Sequence, residues 1–295
     1  MPVSVRAADP DGGPSRCLCR SSAAIAASAT QHLPLLALVS LIPCSLGLIR
    51  EQFTLGVGYG LACALNGAVC FAIAPAKPLP LRTTLHALGL VAHGLRLATF
   101  LFQRHVRHEM PKRLRMHEQQ EAERTRTLAR IRRLPLIAGA ASTFALMSSP
   151  VLFSTAHPSG EHLDVQWLGV AIQWLGTALA AVADQQKRAY KKAHPAAHWV
   201  DDGLFSIVRH PNYAGELAVW AGIALAASTS LVGDSERRCT FAGAAAVLVT
   251  MLRATHNLER RQMDKYGAQE AYQLYVRRTG ALLPKLPPVK EMSDA

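Results

Sequence analysis

The stretch Gly203-Leu204-Phe205-Ser206-Ile207-Val208-Arg209-His210-Pro211-Asn212-Tyr213-Ala214-Gly215-Glu216 decides how the chain is read. It sets polar, charged and aromatic groups directly against an apolar run, Leu217 to Val232. Pro211 suits the first turn of a helix, where a missing N–H costs nothing. The residue before it, His210, is pushed toward an extended conformation. A loop ending at His210 and a helix starting at Pro211 follow. On that helix Asn212 and Glu216 are four apart and share a face, with Tyr213 beside Glu216 at a spacing of three. Arg209 and His210 stand at the positive end of the helix dipole, a place suited to an anion and above all to phosphate. A basic anchor at a membrane surface, with Arg209 snorkelling, is the plainer alternative. It leaves the expensive polar residues Asn212 and Glu216 of an apolar segment without a purpose.

Outward from this stretch the chain is a series of apolar runs. Half of the 295 residues are hydrophobic and 18% are charged. The apolar residues fall in runs of about twenty, the length that crosses a bilayer. The predicted fold is therefore all-α, a polytopic membrane bundle of about seven transmembrane helices. The predicted spans are Leu33–Ile49, Leu55–Ala74, Leu85–Phe102, Leu134–Phe153, Trp167–Val182, the helix from Pro211 to Val232, and Phe241–Ala254. Residues 1–31 are expected to be a disordered tail or an organelle transit peptide, 32–288 a single membrane-embedded domain, and 289–295 a tail. The membrane is that of the endoplasmic reticulum in the first case and of a plastid or mitochondrion in the second. The polar tail from His256 to Pro288 is expected to be helical, with Tyr266, Tyr272 and Tyr275 as amphipathic interface residues.

The net charge of +12 sits between the runs. Segment 104–133 carries ten Lys or Arg against four Glu, and 184–213 and 256–295 are also basic. Seven spans put these three segments on one side, and the loop 154–166, without Lys or Arg, on the other. The positive-inside rule assigns the basic side to the cytosol or stroma. Charged loops at a membrane thus account for the basic balance, and nucleic-acid binding is not implied. The six cysteines form no framework: Cys44, Cys63 and Cys70 lie in apolar runs, and Cys17 and Cys19 are too close for a usual zinc knuckle. His105, His108 and His117 are expected to be solvated, so neither a disulfide nor a metal is expected.

Four blocks resemble the C-terminal domain of the steroid 5-alpha-reductase family, in particular its bacterial and algal membrane branch. They are Gly94-Leu95-Arg96-Leu97, Asp184 to Lys187, Gly203 to Glu216, and Leu258-Glu259 through Tyr272 and Tyr275 to Leu283-Pro284. The family holds NADPH inside a helical bundle. The resemblance implies that Asn212 and Glu216 meet the nicotinamide amide, and that Asp184, Arg209, His210 and His256 serve the ribose, phosphates or adenine. Lys187 and Tyr213 lie in the same blocks and join the cofactor-binding set. The implied reaction is NADPH-dependent reduction of an activated C=C in a sterol-like, enoyl-lipid or terpenoid substrate taken from the membrane. Such chemistry needs a positioned hydride donor, a group that polarises the conjugated carbonyl, and exclusion of water.

Where the branch has an acidic pair before a Pro-Arg-Tyr-like run, this chain has Glu109-Met110-Pro111-Lys112-Arg113-Leu114. The sequence fixes no catalytic residue; Tyr213 and Tyr59 are candidates, with Glu51 near the second span. Two other functions compete. Isoprenylcysteine-type membrane methyltransferases, which use S-adenosylmethionine, also carry an Arg-His-Pro-x-Tyr stretch, but they usually have an apolar residue where Glu216 stands. A non-catalytic membrane protein that keeps the fold is the third reading. For Glu216 alone, an internal salt bridge to Arg96 or Arg253 is the structural alternative.

Overall fold

The computed structural model describes residues 29–75, 77–106, 116, 131–158, 162–194 and 198–285. Within them the fold is all-α. In chain order the elements are α1 (Leu33–Cys44), a 3-10 turn (Ser45–Leu48), α2 (Glu51–Leu55), α3 (Val57–Ala72), α4 (Leu81–Val106), α5 (Leu134–Ala156), α6 (Leu163–Ala193), a 3-10 turn (Gly203–Ser206), α7 (Pro211–Ser228), α8 (Asp234–Tyr266) and α9 (Glu270–Arg278). Most of the 1–31 tail, the 289–295 tail, His108, His117 and the run Glu109–Leu114 lie outside the described residues.

A helix stands at each of the seven expected spans. Five are long and apolar enough to cross a membrane: Glu51–Ala72, α4, α5, α6 and α8. The chain is a multi-pass membrane protein. The stretch Leu33–Leu48 is apolar but shorter, and the polar first turn of α7 dilutes its apolar content. Two helices outrun their expected spans. α6 has 31 residues and α8 has 33. At 1.5 Å per residue each is about 45–50 Å long, against a hydrocarbon layer of about 30 Å. Their polar ends, including Asp184 to Lys192 and His256 to Lys265, continue the helix instead of breaking it.

Small residues set how closely the helices approach. A Cβ on Gly222 of α7 would lie 2.5 Å from the Gln173 backbone nitrogen of α6, and one on Gly215 would lie 2.7 Å from that of Ala180. Gly60 of α3 and Gly94 of α4 meet in the same way, with backbone atoms 2.4–2.7 Å from the would-be Cβ positions. In lipid such close backbone packing replaces the hydrophobic drive that water supplies elsewhere. Asn66 then ties three helices: its amide donates to Ser40 of α1 at 3.0 Å and to Ser148 of α5 at 3.1 Å.

A polar seam joins α4 to α6. Arg82 donates to Gln166, His86 pairs with Gln173 at 2.9 Å, Arg96 with Asp184 at 2.7 Å, and Arg188 with Gln103 at 3.3 Å. Both residue series ascend together, so the two helices run parallel. From Arg82 to Gln103 the seam is about 31 Å long, the depth of the apolar layer.

The tail is a cap. α9 folds back onto the loop before α7, where Val208 pairs with Gly280, and the Arg209 and His210 N–H groups donate to Gly280 and Ala281 at 2.9 and 3.0 Å. Tyr266, Tyr272 and Tyr275 are buried around Trp199, which corrects their expected place at the membrane interface. The Tyr275 hydroxyl donates to the carbonyls of Phe205 at 2.7 Å and Val200 at 3.2 Å. These partners inside the cap make an interfacial position unnecessary. Burial pushes the Tyr272 phenol up to about 12, so it stays a neutral donor.

Candidate functional site

α7 begins at Pro211, as expected, and His210 before it is non-helical. Its first three turns place Asn212, Glu216 and Trp220 along one face at spacings of four. Glu216 is 6% exposed. A carboxylate at such a place in a membrane helix costs several kcal/mol unless it is partnered, by insertion scales of about 2.5–3.5 kcal/mol at mid-helix. Three groups from three helices meet one of its oxygens. Oε1 accepts from the Tyr59 hydroxyl at 2.6 Å, from Trp220 Nε1 at 3.2 Å and from His93 Nε2 at 3.2 Å. The Trp220 N–H is shared with the Tyr59 oxygen at 2.9 Å.

The second oxygen is less occupied. Among the described residues, Oε2 has Arg96 Nη2 at 3.8 Å, an ion pair too long for a hydrogen bond. Arg96 is drawn instead to Asp184, Nη1 to Oδ2 at 2.7 Å, and the other Asp184 oxygen accepts from the Asn212 amide at 3.2 Å. Asn212 Oδ1, His93 Nδ1 and Arg96 Nε are buried without a partner among the described residues. Native proteins leave few such atoms unpaired, and each calls for an explanation.

A second cluster lies just before α7. Arg209 grips Glu259 of α8 through Nε at 3.0 and 3.1 Å and Nη2 at 2.5 Å, while Nη1 donates to the carbonyls of Val276, at 3.1 Å, and Thr279. His210 Nε2 meets the same carboxylate at 2.5 Å. The anion that the start of α7 attracts is thus internal.

The structure gathers Tyr59, Asp184, Asn212 and Glu216 from three separate stretches of sequence. Tyr213 and Lys187 are half-buried at the polar margin of that group. Arg209 and His210 belong to the Glu259 clasp, and at 8% exposure Arg209 is not a surface anchor. His256 is exposed on α8 and joins neither cluster by a hydrogen bond or ion pair. The salt-bridge alternative for Glu216 holds in part, through Arg96; Arg253 is exposed. The sequence alone passed over three participants. His93 stands three residues before Arg96 in an apolar run, and Trp220 one turn after Glu216, so helical spacing could have found both. Glu259 had no such signal, because its partners are 49 and 50 residues away. Among the described residues Cys44, Cys63, Cys70 and Cys239 are free thiols, and no group of His, Cys, Asp and Glu is arranged to hold a metal.

A family model described as protein of unknown function, DUF1295, matches residues 53–279. The chain belongs to this family, and the matched region contains both clusters. No curated protein and no solved structure gives a significant match.

Proposed function

We propose that this member of the DUF1295 family is an NADPH-dependent membrane reductase acting on the activated C=C of a lipophilic substrate. One observation carries the reading. Glu216 has one oxygen filled by three donors and the other met only by Arg96 at 3.8 Å, while Asn212 Oδ1 on the same helix face has no partner among the described residues. Two acceptors one turn apart suit a ligand that brings N–H donors, and a carboxamide is such a group. The resemblance of the Gly203–Glu216 stretch to steroid 5-alpha-reductases supports a nicotinamide as its source.

When bound, NADPH supplies a hydride. The chain's own residues have the remaining tasks. Asp184 aligns the Asn212 amide by accepting its N–H, which leaves the buried Oδ1 as an acceptor without a partner among the described residues. Trp220 and His93 hold the Glu216 carboxylate in one rotamer, so little ordering is left for the ligand to complete. Tyr59 is the group that polarises a substrate carbonyl. Its oxygen accepts from Trp220, and its O–H, which donates to Glu216 at 2.6 Å, is the donor that would hydrogen-bond to a carbonyl oxygen brought against it. The tight helix approaches exclude water, which strengthens each of these interactions.

The test is a titration of the purified protein in detergent with NADPH, NADH and S-adenosylmethionine, read as thermal stability, since a ligand of the native state raises it. NADPH is expected to stabilise the wild type and to lose most of this effect in Glu216→Gln. A response to S-adenosylmethionine and not to NADPH would establish the methyltransferase alternative instead. No response to any of the three would leave the non-catalytic reading.

A further inference from the structure

We infer that the end of the bundle away from the Arg209–Glu259 clasp holds a site for a monovalent alkali cation, built from the Glu236 carboxylate and the hydroxyls of Ser154, Ser230 and Thr240. The inference does not depend on the reductase reading. Glu236 lies in the first turn of α8 and is fully buried. Its Oε1 is 3.2 Å from His157 Nε2, and its Oε2 accepts from the Val232 N–H at 2.9 Å. Among the described residues no Lys or Arg reaches it at ion-pair distance, and the neighbouring Arg237 and Arg238 are exposed. A neutral His157 can donate to this carboxylate but does not balance its charge.

The packing of α5 on α8 decides which hydroxyls share this place. A Cβ on Gly243 would lie 2.7 Å from the Leu146 carbonyl oxygen and 3.2 Å from Met147 Cα, so these two faces touch. From there to the His157–Glu236 contact the numbers rise on α5 and fall on α8, so the helices are antiparallel. Ser154 comes seven residues after Met147, and Glu236 seven before Gly243. Seven residues make two turns, about 10.5 Å along the axis, so both stand on the touching faces at one height. Thr240 lies on α8 between Glu236 and Gly243, and Ser230 is two residues before the Val232 N–H that Glu236 accepts. Ser154, Ser230 and Thr240 are 0%, 3% and 8% exposed, and none of their hydroxyls has a partner among the described residues. Other hydroxyls of the same helices turn back to a carbonyl of their own helix: Ser148 and Thr155 on α5, Thr250 and Thr255 on α8. Three unpaired hydroxyls beside one buried carboxylate call for an occupant. α5 ends at Ala156 and α7 at Ser228, so two negative helix ends meet the single positive start of α8, and neither has a basic residue in its last turn. Hard cations take oxygen ligands, and one carboxylate balances one positive charge. Water would satisfy the hydroxyls but leave the carboxylate unbalanced.

The test is thermal melting of the full chain in detergent, titrated with sodium, potassium or choline chloride at constant ionic strength. It is run at about pH 8, where an ordinary histidine is neutral. Sodium or potassium is expected to raise the melting temperature saturably, and choline to leave it unchanged, because a ligand of the native state stabilises it. Ser154→Ala and Thr240→Val each remove one oxygen and are expected to move the midpoint about ten-fold upward, the scale of one lost polar contact. Glu236→Gln is expected to abolish the response. Where Glu236→Gln does not fold, the two hydroxyl variants decide, since their melting in choline shows whether they fold. Thr250→Val is the control: its hydroxyl already bonds to Ala246 on its own helix, and it should keep the wild-type midpoint. Melting that is the same in all three salts overturns the site and leaves the hydroxyls to water. A sodium or potassium response with the wild-type midpoint in both Ser154→Ala and Thr240→Val also overturns it.

Discussion

Glu216 is a buried carboxylate whose two oxygens have different surroundings, and that difference makes it testable. From the sequence alone, Glu216→Leu should leave the fold intact or improve it if Glu216 serves the cofactor, and should lower folded yield if Glu216 is an internal salt bridge. The partners that Glu216 has in the structure favour the lower yield. Leucine strands Tyr59 and His93, which now meet Oε1, while Trp220 keeps the Tyr59 oxygen, and an unpaired buried donor costs about 1–3 kcal/mol. Glu216→Leu is therefore expected to lower stability by several kcal/mol, measured as melting of the detergent-solubilised protein. Glutamine keeps an acceptor oxygen for Tyr59 and Trp220, so Glu216→Gln should melt within about 2 kcal/mol of wild type while losing most of its NADPH response. A leucine variant as stable as wild type would mean that the two stranded donors find other partners. A glutamine variant with a full NADPH response would remove Glu216 from the cofactor site.

At the scale of elements, the close pairing of α6 with α7 sets the site, and the cap of α9 holds the loop that precedes α7. A Cβ on Gly222 meets backbone atoms at 2.5 and 2.6 Å, which cannot move aside as a flexible side-chain end can. Gly222→Val is expected to push the helices apart, separate Asp184 from Asn212 and abolish NADPH stabilisation, whereas the open Gly139, with nothing within 4 Å, should accept valine without loss. Arg209 gives the cap a second test. Lysine cannot reproduce the fork on Glu259 together with the two carbonyl contacts, and disturbing a buried pair costs about 3–5 kcal/mol when a charge is stranded. Arg209→Lys should raise hydrogen exchange across Glu270–Arg278 before it alters α7, and unchanged exchange there would show that the clasp does not hold the cap. These elements also show what could be read in advance. Pro211 marked the start of α7, and apolar run length marked the helices, because both signals are local. The clasp, the glycine contacts and the Tyr59–Glu216 bond join residues far apart in sequence, and neither spacing nor composition encodes them. For the same reason the sequence presents Arg209 as free for phosphate: a helix start predicts that an anion will be there, not that Glu259 will be the one to supply it.

The whole molecule has two distinguishable ends, and its side-chain pairs report which segments share each. At one end Arg50 meets His105 at 2.7 Å, Arg133 lies 4.0 Å from Glu51, and the Arg209–Glu259 clasp joins the start of α7 to the polar part of α8. At the other, Arg82 reaches Gln166, and His157 lies 3.2 Å from Glu236. Between them runs the α4–α6 seam, about as long as the apolar layer is deep. Successive helices therefore alternate in direction, although only five of them have the length and apolar content that identify a span on their own. An alternation of seven returns the chain's basic segments to one side each time. A five-span arrangement, with Leu33–Leu48 and α7 not crossing, does not: α6 and α8 would then have to run in opposite directions, yet both bring their polar C-terminal parts to the end that carries Asp184 and Glu259. The expected result is that a reporter inserted at Glu121 and one fused after Ala295 are labelled from the same side, and one at Pro158 from the other, in sealed vesicles. By the positive-inside rule the shared side is expected to be the cytosolic or stromal one, the side from which the proposed dinucleotide would reach Asn212. If Glu121 and Pro158 are labelled together, the alternation is wrong. If all three follow the pattern but the shared side is luminal, the bundle stands, and a soluble cofactor no longer reaches the proposed site.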